Sequence, residues 1–365
     1  MKKEVISDKQ GIAIIVLFIV GSSSIFAQGL EAKQDLWLAF VLGIIMVLPM
    51  IMIYARLHYI FSDKDLFDIV DICFGKLIGK VLIILYIWFV YYFSSDMLFT
   101  YGQFIRVVWF QETPQIIIII FMGILCVLAI KEGIELLGRF SQLFFHIPII
   151  TLFIIIILLI SDMNINNLRP VLKAGIKPIL EGAFSVFTFP LVEIVMFTMA
   201  FSNFKRKKSP YKVFIIGLLI GGVYLLILSL TNILVIGVDI ATNHYYPSHT
   251  TISRIDVGGI LQRIEIVIAI TYCLGGFIKI SLLLLCVCKG VTKIFGFKDY
   301  RFIIIPISLL ILNLSYFQYE SVMYYFEWGK DVWPYYSFPF QVILPIIIWI
   351  VAEIKKKKLV DNSIT

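Results

Sequence analysis

Residues 17–30 read LFIVGSSSIFAQGL, inside an apolar segment that runs from 11 to 30. About 20 residues of this kind suffice to cross a hydrocarbon core. Yet Gly21, Ser22, Ser23 and Ser24 stand in its middle, and all four are poor helix formers. A helix interrupted in mid-membrane frees N–H and C=O groups that hydrocarbon cannot satisfy. Such a break persists only where protein, water or a ligand takes up those groups.

Working outward, the 365-residue chain is 60% hydrophobic and only 15% charged, which leaves too little polar surface for a soluble domain of this size. Apolar runs at about 11–30, 36–57, 80–104, 115–131, 142–161, 180–203, 212–238, 261–288, 302–317 and 335–354 predict ten transmembrane helices. The fold class is therefore an all-α polytopic membrane protein, with residues 1–365 in one domain. No small-residue cleavage site follows the first run, so a removed signal peptide is not expected. If the N-terminus is cytoplasmic, 22 of the 31 Lys and Arg residues fall on the cytoplasmic side. That bias places both termini there and requires an even number of spans. The basic runs at 205–208 and 355–358 read first as topology anchors, and second as contacts to lipid headgroups.

Several function classes drop out. The net charge of +7 sits at segment ends and is no nucleic-acid signal. The five cysteines form no Cys-x-x-Cys pair and the four histidines are scattered, so neither a disulfide framework nor a metal site is expected. No nucleophile–base pair, phosphate loop or HExxH motif points to an enzyme, and no cofactor is implied. Two loops are long. In 61–80, Leu66, Ile69, Val70 and Phe74 recur at helical spacing, with Asp65, Asp68 and Asp71 on another face, which predicts a short interfacial helix. The segment 239–260 is polar and aromatic, and suits a cap over an outward-facing vestibule.

Span six, GAFSVFTFPLVEIVMF at 182–197, is also disrupted near its centre. Pro190 removes a backbone donor and biases Phe189 away from helix, with Ser185 and Thr188 just before it. Spans one and six hold matching positions in two five-span halves, about 11–161 and 180–354, of opposite orientation. Paired interruptions of this kind point to a transporter-type binding site. Freed N–H groups suit a carboxylate, and freed carbonyls suit an ammonium or a metal cation. A free amino acid carries one of each. Close helix packing is the alternative for the small residues, and a simple proline kink for span six. On the binding reading, Gly21, Ser22, Ser23, Ser24, Ser185 and Thr188 contact the ligand, and Phe184, Phe187 and Phe189 add an apolar lining. Replacing Gly21 or Ser185 by leucine is then expected to blunt the response to ligand at a normal protein level.

Charges within spans are costly and usually functional. Lys279 in span eight is read as a fixed cation between spans one and eight, with snorkelling to the interface as the alternative. Glu193, three residues after Pro190, is placed to accept a proton, pair with Lys279 or bond a neighbouring helix. Asp96 in span three has Tyr91 and Tyr92 beside it, both within reach of a ligand or simply packed.

These features resemble the B subunits of spore germinant receptors, the endospore germination permease family within the amino acid–polyamine–organocation permease superfamily. The resemblance rests on ISDKQ (6–10), the Gly-Ser break at 21–24, DLFDIVDICFGKLIGK (65–80), ETPQ (112–115), KEGIELLGR (131–139), NLRPVLKAG (167–175) and the lysine tail. It implies a five-plus-five inverted repeat of the LeuT type with discontinuous helices 1 and 6. It also implies a subunit in the inner membrane of the spore that senses a small germinant, often an amino acid, and assembles with A and C subunits. A proton-coupled amino-acid transporter, and a structural or water- or ion-conducting subunit, are the competing readings.

Overall fold

The computed structural model describes residues 5–255 and 265–361. Lys2, Lys3, Arg263, the last residues of the 239–260 segment and the first of span eight lie outside the described residues. The helices, in chain order, are α1 (Asp8–Ser23), α2 (Leu36–Ile60), α3 (Leu66–Val108), α4 (Gln115–Lys131), α5 (Ile134–Phe144), α6 (His146–Leu159) and α7 (Lys177–Val186). They continue with α8 (Met196–Ala200), α9 (Ser209–Asn243), α10 (Pro247–Ile252), α11 (Glu265–Phe295), α12 (Ile304–Phe317), α13 (Val322–Asp331), α14 (Trp333–Phe338) and α15 (Leu344–Asp361).

Among the described residues, seven helical stretches, some joining two of these helices, are long and apolar enough to cross a membrane, or eight if α12 and α13, bent by 102°, count as one span. The difference from ten falls mainly on α1, with 16 residues, and α4, with 17. The protein is a multi-pass membrane protein. Its peripheral helices expose large apolar side chains, among them Phe121, Ile157 and Leu309. Such side chains are stable against lipid tails rather than water.

α1 shows why the core sits where it does. Residues 13–25 are all buried, so this helix is apolar on every face and lies inside the bundle. It packs between α9, α11 and α5, while α11 also packs along α3. A capping box starts α1: Ser7 Oγ accepts from the Gln10 amide at 3.3 Å, and the Gln10 side chain accepts from the Ser7 amide at 3.0 Å. Replacing Ser7 by alanine is expected to lower stability by about 0.5–2 kcal/mol, read as a small drop in the melting temperature of the purified chain.

We refer to the end of the bundle where α1 starts as the base, and the end where it finishes as the mouth. At the base, the Ile6 amide donates to the Asn203 carbonyl at 3.1 Å, and Ser209 Oγ donates to Asp8 Oδ1 at 2.6 Å. Arg56 Nε donates to Glu353 Oε1 at 2.5 Å, tying α2 to α15. The expected short helix at 66–74 forms and is set off from the rest of α3 by Gly75, whose φ of 75° favours glycine. Its apolar residues Leu66, Ile69 and Val70 are buried, and its aspartates Asp68 and Asp71 reach Lys293 at 2.7 and 3.4 Å. In KEGIELLGR, Glu135 pairs with Arg139 at 3.7 Å, whereas its other oxygen accepts from the Val5 amide rather than from Lys131. Gly133, at φ 90°, separates α4 from α5 and takes Lys131 out of helical register with Glu135.

Candidate functional site

Two interrupted elements meet near the middle of the bundle. α1 stops at Ser23 and is not resumed as an α-helix; turns lead to a short 3-10 segment, Leu30–Asp35, and then to α2. Its terminal carbonyls are partly met locally: the Phe26 amide and the Gln28 side chain both donate to the Ser23 carbonyl, at 3.1 and 3.2 Å. The Gly-Ser run is thus the end of a helix rather than the centre of one. α7 gives way to a π-turn at Phe187–Leu191, in which Phe189 is extended (φ −143°, ψ 119°) before Pro190. Pro190 has no N–H to give, and Thr188 Oγ1 instead donates to the Phe184 and Ser185 carbonyls at 3.0 and 3.1 Å. A 3-10 turn, Val192–Val195, follows and places Glu193 inward.

Between these elements lies an ion pair with no exposure at either side chain. Lys279 Nζ donates to Glu193 Oε2 at 2.5 Å and to Ser22 Oγ at 2.7 Å. The rings of Phe18, Phe93 and Phe189 lie 4.7, 4.9 and 5.0 Å from the ammonium. An ammonium has three donors; two go to oxygen, and ring faces supply favourable negative potential around it. Lys279 is therefore locked in the core and does not snorkel.

Next to the ion pair is a cavity of about 570 Å³, large enough for a small organic molecule. The chain after α1 (Phe26, Gln28, Glu31), the broken element (Ser185, Thr188, Phe189), α3 (Asp96) and the bent helix α13 (Tyr325, Phe326, Trp328) line it. Thr188 and Asp96 are buried at its inner end, whereas His244 and Lys330 are exposed at its rim. Residues 241–245 and Pro247 form one wall of the mouth, and α13 crosses above it. Beside it, a second depression of about 730 Å³, lined by Lys33, Arg169 and Lys173 among others, contains no expected site residue.

Of the expected contacts, Asp96, Ser185 and Thr188 line the cavity. Gly21 does not: its Cα faces the backbone of Gly275, and a β-carbon on Gly21 would stand 2.2 Å from that glycine. Its smallness serves helix packing. Ser22 bonds Lys279, while Ser23 and Ser24 are fully buried off the cavity. Phe184 and Phe187 turn instead toward Phe338. Tyr92 meets Tyr319, with hydroxyls 3.3 Å apart, and Tyr91 donates to the Leu310 carbonyl at 3.0 Å. Lys279 and Glu193 do not line the cavity; the Phe189 ring, which does, lies 5.0 Å from the Lys279 ammonium. Sequence reading missed Phe26, Gln28, Glu31 and the α13 aromatics. Phe189, expected as apolar lining and fixed in extended form before a proline, does line the cavity.

The chain matches the family described as spore germination protein over residues 5–322. It is 29% identical to spore germination protein KB of Bacillus subtilis (strain 168), over 98% of this chain and 97% of that protein. It is 24% identical to the putative spore germination protein YfkT of the same organism, over 89% of each chain. Spore germination protein XB of Bacillus anthracis is 19% identical, over 94% of this chain and 98% of its own length. None of these is named as an enzyme. Among solved structures, Mhp1, a nucleobase-cation-symport-1 family transporter in a closed conformation with bromovinylhydantoin bound, superposes with a TM-score of 0.70. That match is 12% identical and covers 94% of this chain and 78% of Mhp1, so it establishes a transporter-like fold and nothing narrower.

Proposed function

Since the chain belongs to the spore germination protein family, we propose that it is the membrane subunit of a germinant receptor that senses a small nutrient, in the first instance an amino acid. The observation that carries this is the cavity where the two interrupted elements meet, with Asp96, Ser185 and Thr188 on its inner walls. On this reading the two halves, about 11–161 and 180–354, form the inverted repeat. Both termini are cytoplasmic, so the mouth faces away from the spore core in the inner membrane. The ligand enters there, and A and C subunits relay the signal.

A ligand shifts a two-state equilibrium only by binding one state better than the other. Here the broken segment bearing Ser185, Thr188 and Phe189 contacts the cavity on one side and leads into Glu193 on the other. A bound molecule that repositions it acts directly on the buried Lys279–Glu193 pair. Lys279 supplies a built-in cation at that point, so binding need not wait for a mobile one. This favours a receptor over an ion-coupled carrier.

Ser185→Leu should fill the inner cavity while disturbing little packing. Spores carrying it are expected to need about tenfold more nutrient or greater, equivalent to about 1.4 kcal/mol of binding, with the subunit at its normal level by immunoblot. An unchanged dose response at normal level counts against the site. The transporter-like fold keeps a second reading alive, a proton-coupled amino-acid carrier. Reconstituted vesicles separate the two, because concentrative uptake of a labelled amino acid driven by a proton gradient supports the carrier.

A further inference from the structure

Asp96 is buried to 6% exposure, yet it lines the cavity. Its Oδ1 accepts one hydrogen bond, from the Tyr319 hydroxyl at 2.5 Å. Among the described residues it has no ion-pair partner, since Lys279 is committed to Glu193 and Ser22. A carboxylate taken out of water and left with one neutral donor carries a large desolvation cost, which a cation at the free oxygen would offset. The surroundings suit a particular kind of cation. Phe26 packs edge-on to Phe189 and Phe326, with centroids 6.5 and 6.1 Å apart, and Tyr325 lies 5.0 Å from Phe326. All four rings line the same cavity. Glu31 also lines the cavity, within electrostatic reach of Lys330, so Asp96 is the carboxylate of the inner end; there, aromatic walls favour a weakly hydrated ammonium on an apolar body over a metal ion, which would demand several oxygen ligands. Two cations, Lys33 and Lys330, sit exposed at the rim.

We propose that Asp96 anchors a cationic nitrogen of the ligand. The cavity then selects ammonium-bearing small molecules with an apolar body, amine inward and any carboxylate toward Lys330. This rests on the reading of the cavity as the nutrient site and adds to it the feature that decides which molecules bind and in which direction. It also moves the amine contact from the α1 terminus, where the Ser23 carbonyl is already engaged, to a side chain of α3.

The test uses the full chain in lipid nanodiscs and titrates the twenty L-amino acids, their decarboxylated amines, their deaminated acids and a set of neutral sugars, by calorimetry and thermal shift. At least one amino acid is expected to bind, with its amine retaining measurable affinity and its deaminated acid weaker by roughly 10- to 100-fold, the scale of a charge-assisted bond. Asp96→Asn is expected to weaken the amine-bearing ligand by a similar factor and the deaminated acid hardly at all. If Asp96→Asn fails to fold, the amine-against-acid comparison on the unmodified chain decides by itself. Equal affinity for amino acid and deaminated acid overturns the anchor. So does binding of a neutral sugar alone, or an unchanged affinity in Asp96→Asn; in those cases loss of binding in Ser185→Leu keeps the cavity as the nutrient site. Binding that survives Ser185→Leu, or no binding by any compound, overturns the cavity reading and this inference with it.

Discussion

Glu193→Gln is expected to remove most of the folded protein from the membrane. The substitution is nearly isosteric, but it leaves the Lys279 ammonium fully buried with only the Ser22 hydroxyl, a neutral amide and three ring faces around it. Breaking a buried ion pair from one side typically costs about 3–5 kcal/mol, against a total stability of roughly 5–15 kcal/mol for folded domains. Immunoblotting of membranes and the melting temperature of solubilised protein both report it. The double variant Glu193→Leu with Lys279→Met should recover much of the lost level, because exchanging both charges for apolar groups removes the desolvation cost together with the attraction. Spores with that variant then separate two roles. A normal level with no nutrient response assigns the pair to signalling, and a normal level with a normal response assigns it to folding alone. A Glu193→Gln protein that accumulates and melts as the parent does would mean that the pair contributes little.

Gly21→Leu is the second large effect, and it is expected in stability rather than in ligand response. α1 and α11 touch backbone to backbone at this point: a β-carbon on Gly21 would lie 2.2 Å from Gly275, and one on Gly275 would lie 2.1 Å from Gly21. No side chain is available to swing aside, so the helices must separate. Even modest overpacking costs about 1–3 kcal/mol, and a leucine across a backbone–backbone crossing exceeds that case. Gly275→Ala should act in the same direction and more weakly. The measurement is again subunit level and melting temperature. A stable Gly21→Leu subunit that merely ignores its nutrient would return Gly21 to the ligand site.

How much of this was readable in advance depends on how local the cause is. Pro190 disrupts its own segment wherever it is placed, so the break of the sixth span and the extended Phe189 follow from a dipeptide. Lys279 and Glu193 stood out because charges are rare in such an apolar chain and must find each other or water. Gly21 was visible as small but not as the partner of Gly275, because that contact joins residues more than 250 positions apart and leaves no periodic trace. The same limit applies to the cavity wall. Phe26, Tyr325 and Phe326 come together only when α13 folds back at 102° over the mouth, and in a sequence with 31 phenylalanines and 18 tyrosines no single ring is conspicuous. Tyr91 and Tyr92 adjoin Asp96 in sequence, but the helical turn carries their hydroxyls to Leu310 and Tyr319.

The clip between Ile6 and Asn203 has a mechanical meaning. It fastens the foot of the first interrupted rod to the stretch just past the second, so the two are pinned together at one end. With 16 residues in α1, the arm is about 24 Å long. If ligand binding tilts the rod by a few degrees about that pin, the far end of the arm, where Ser22 holds the Lys279 ammonium, moves by an ångström or more.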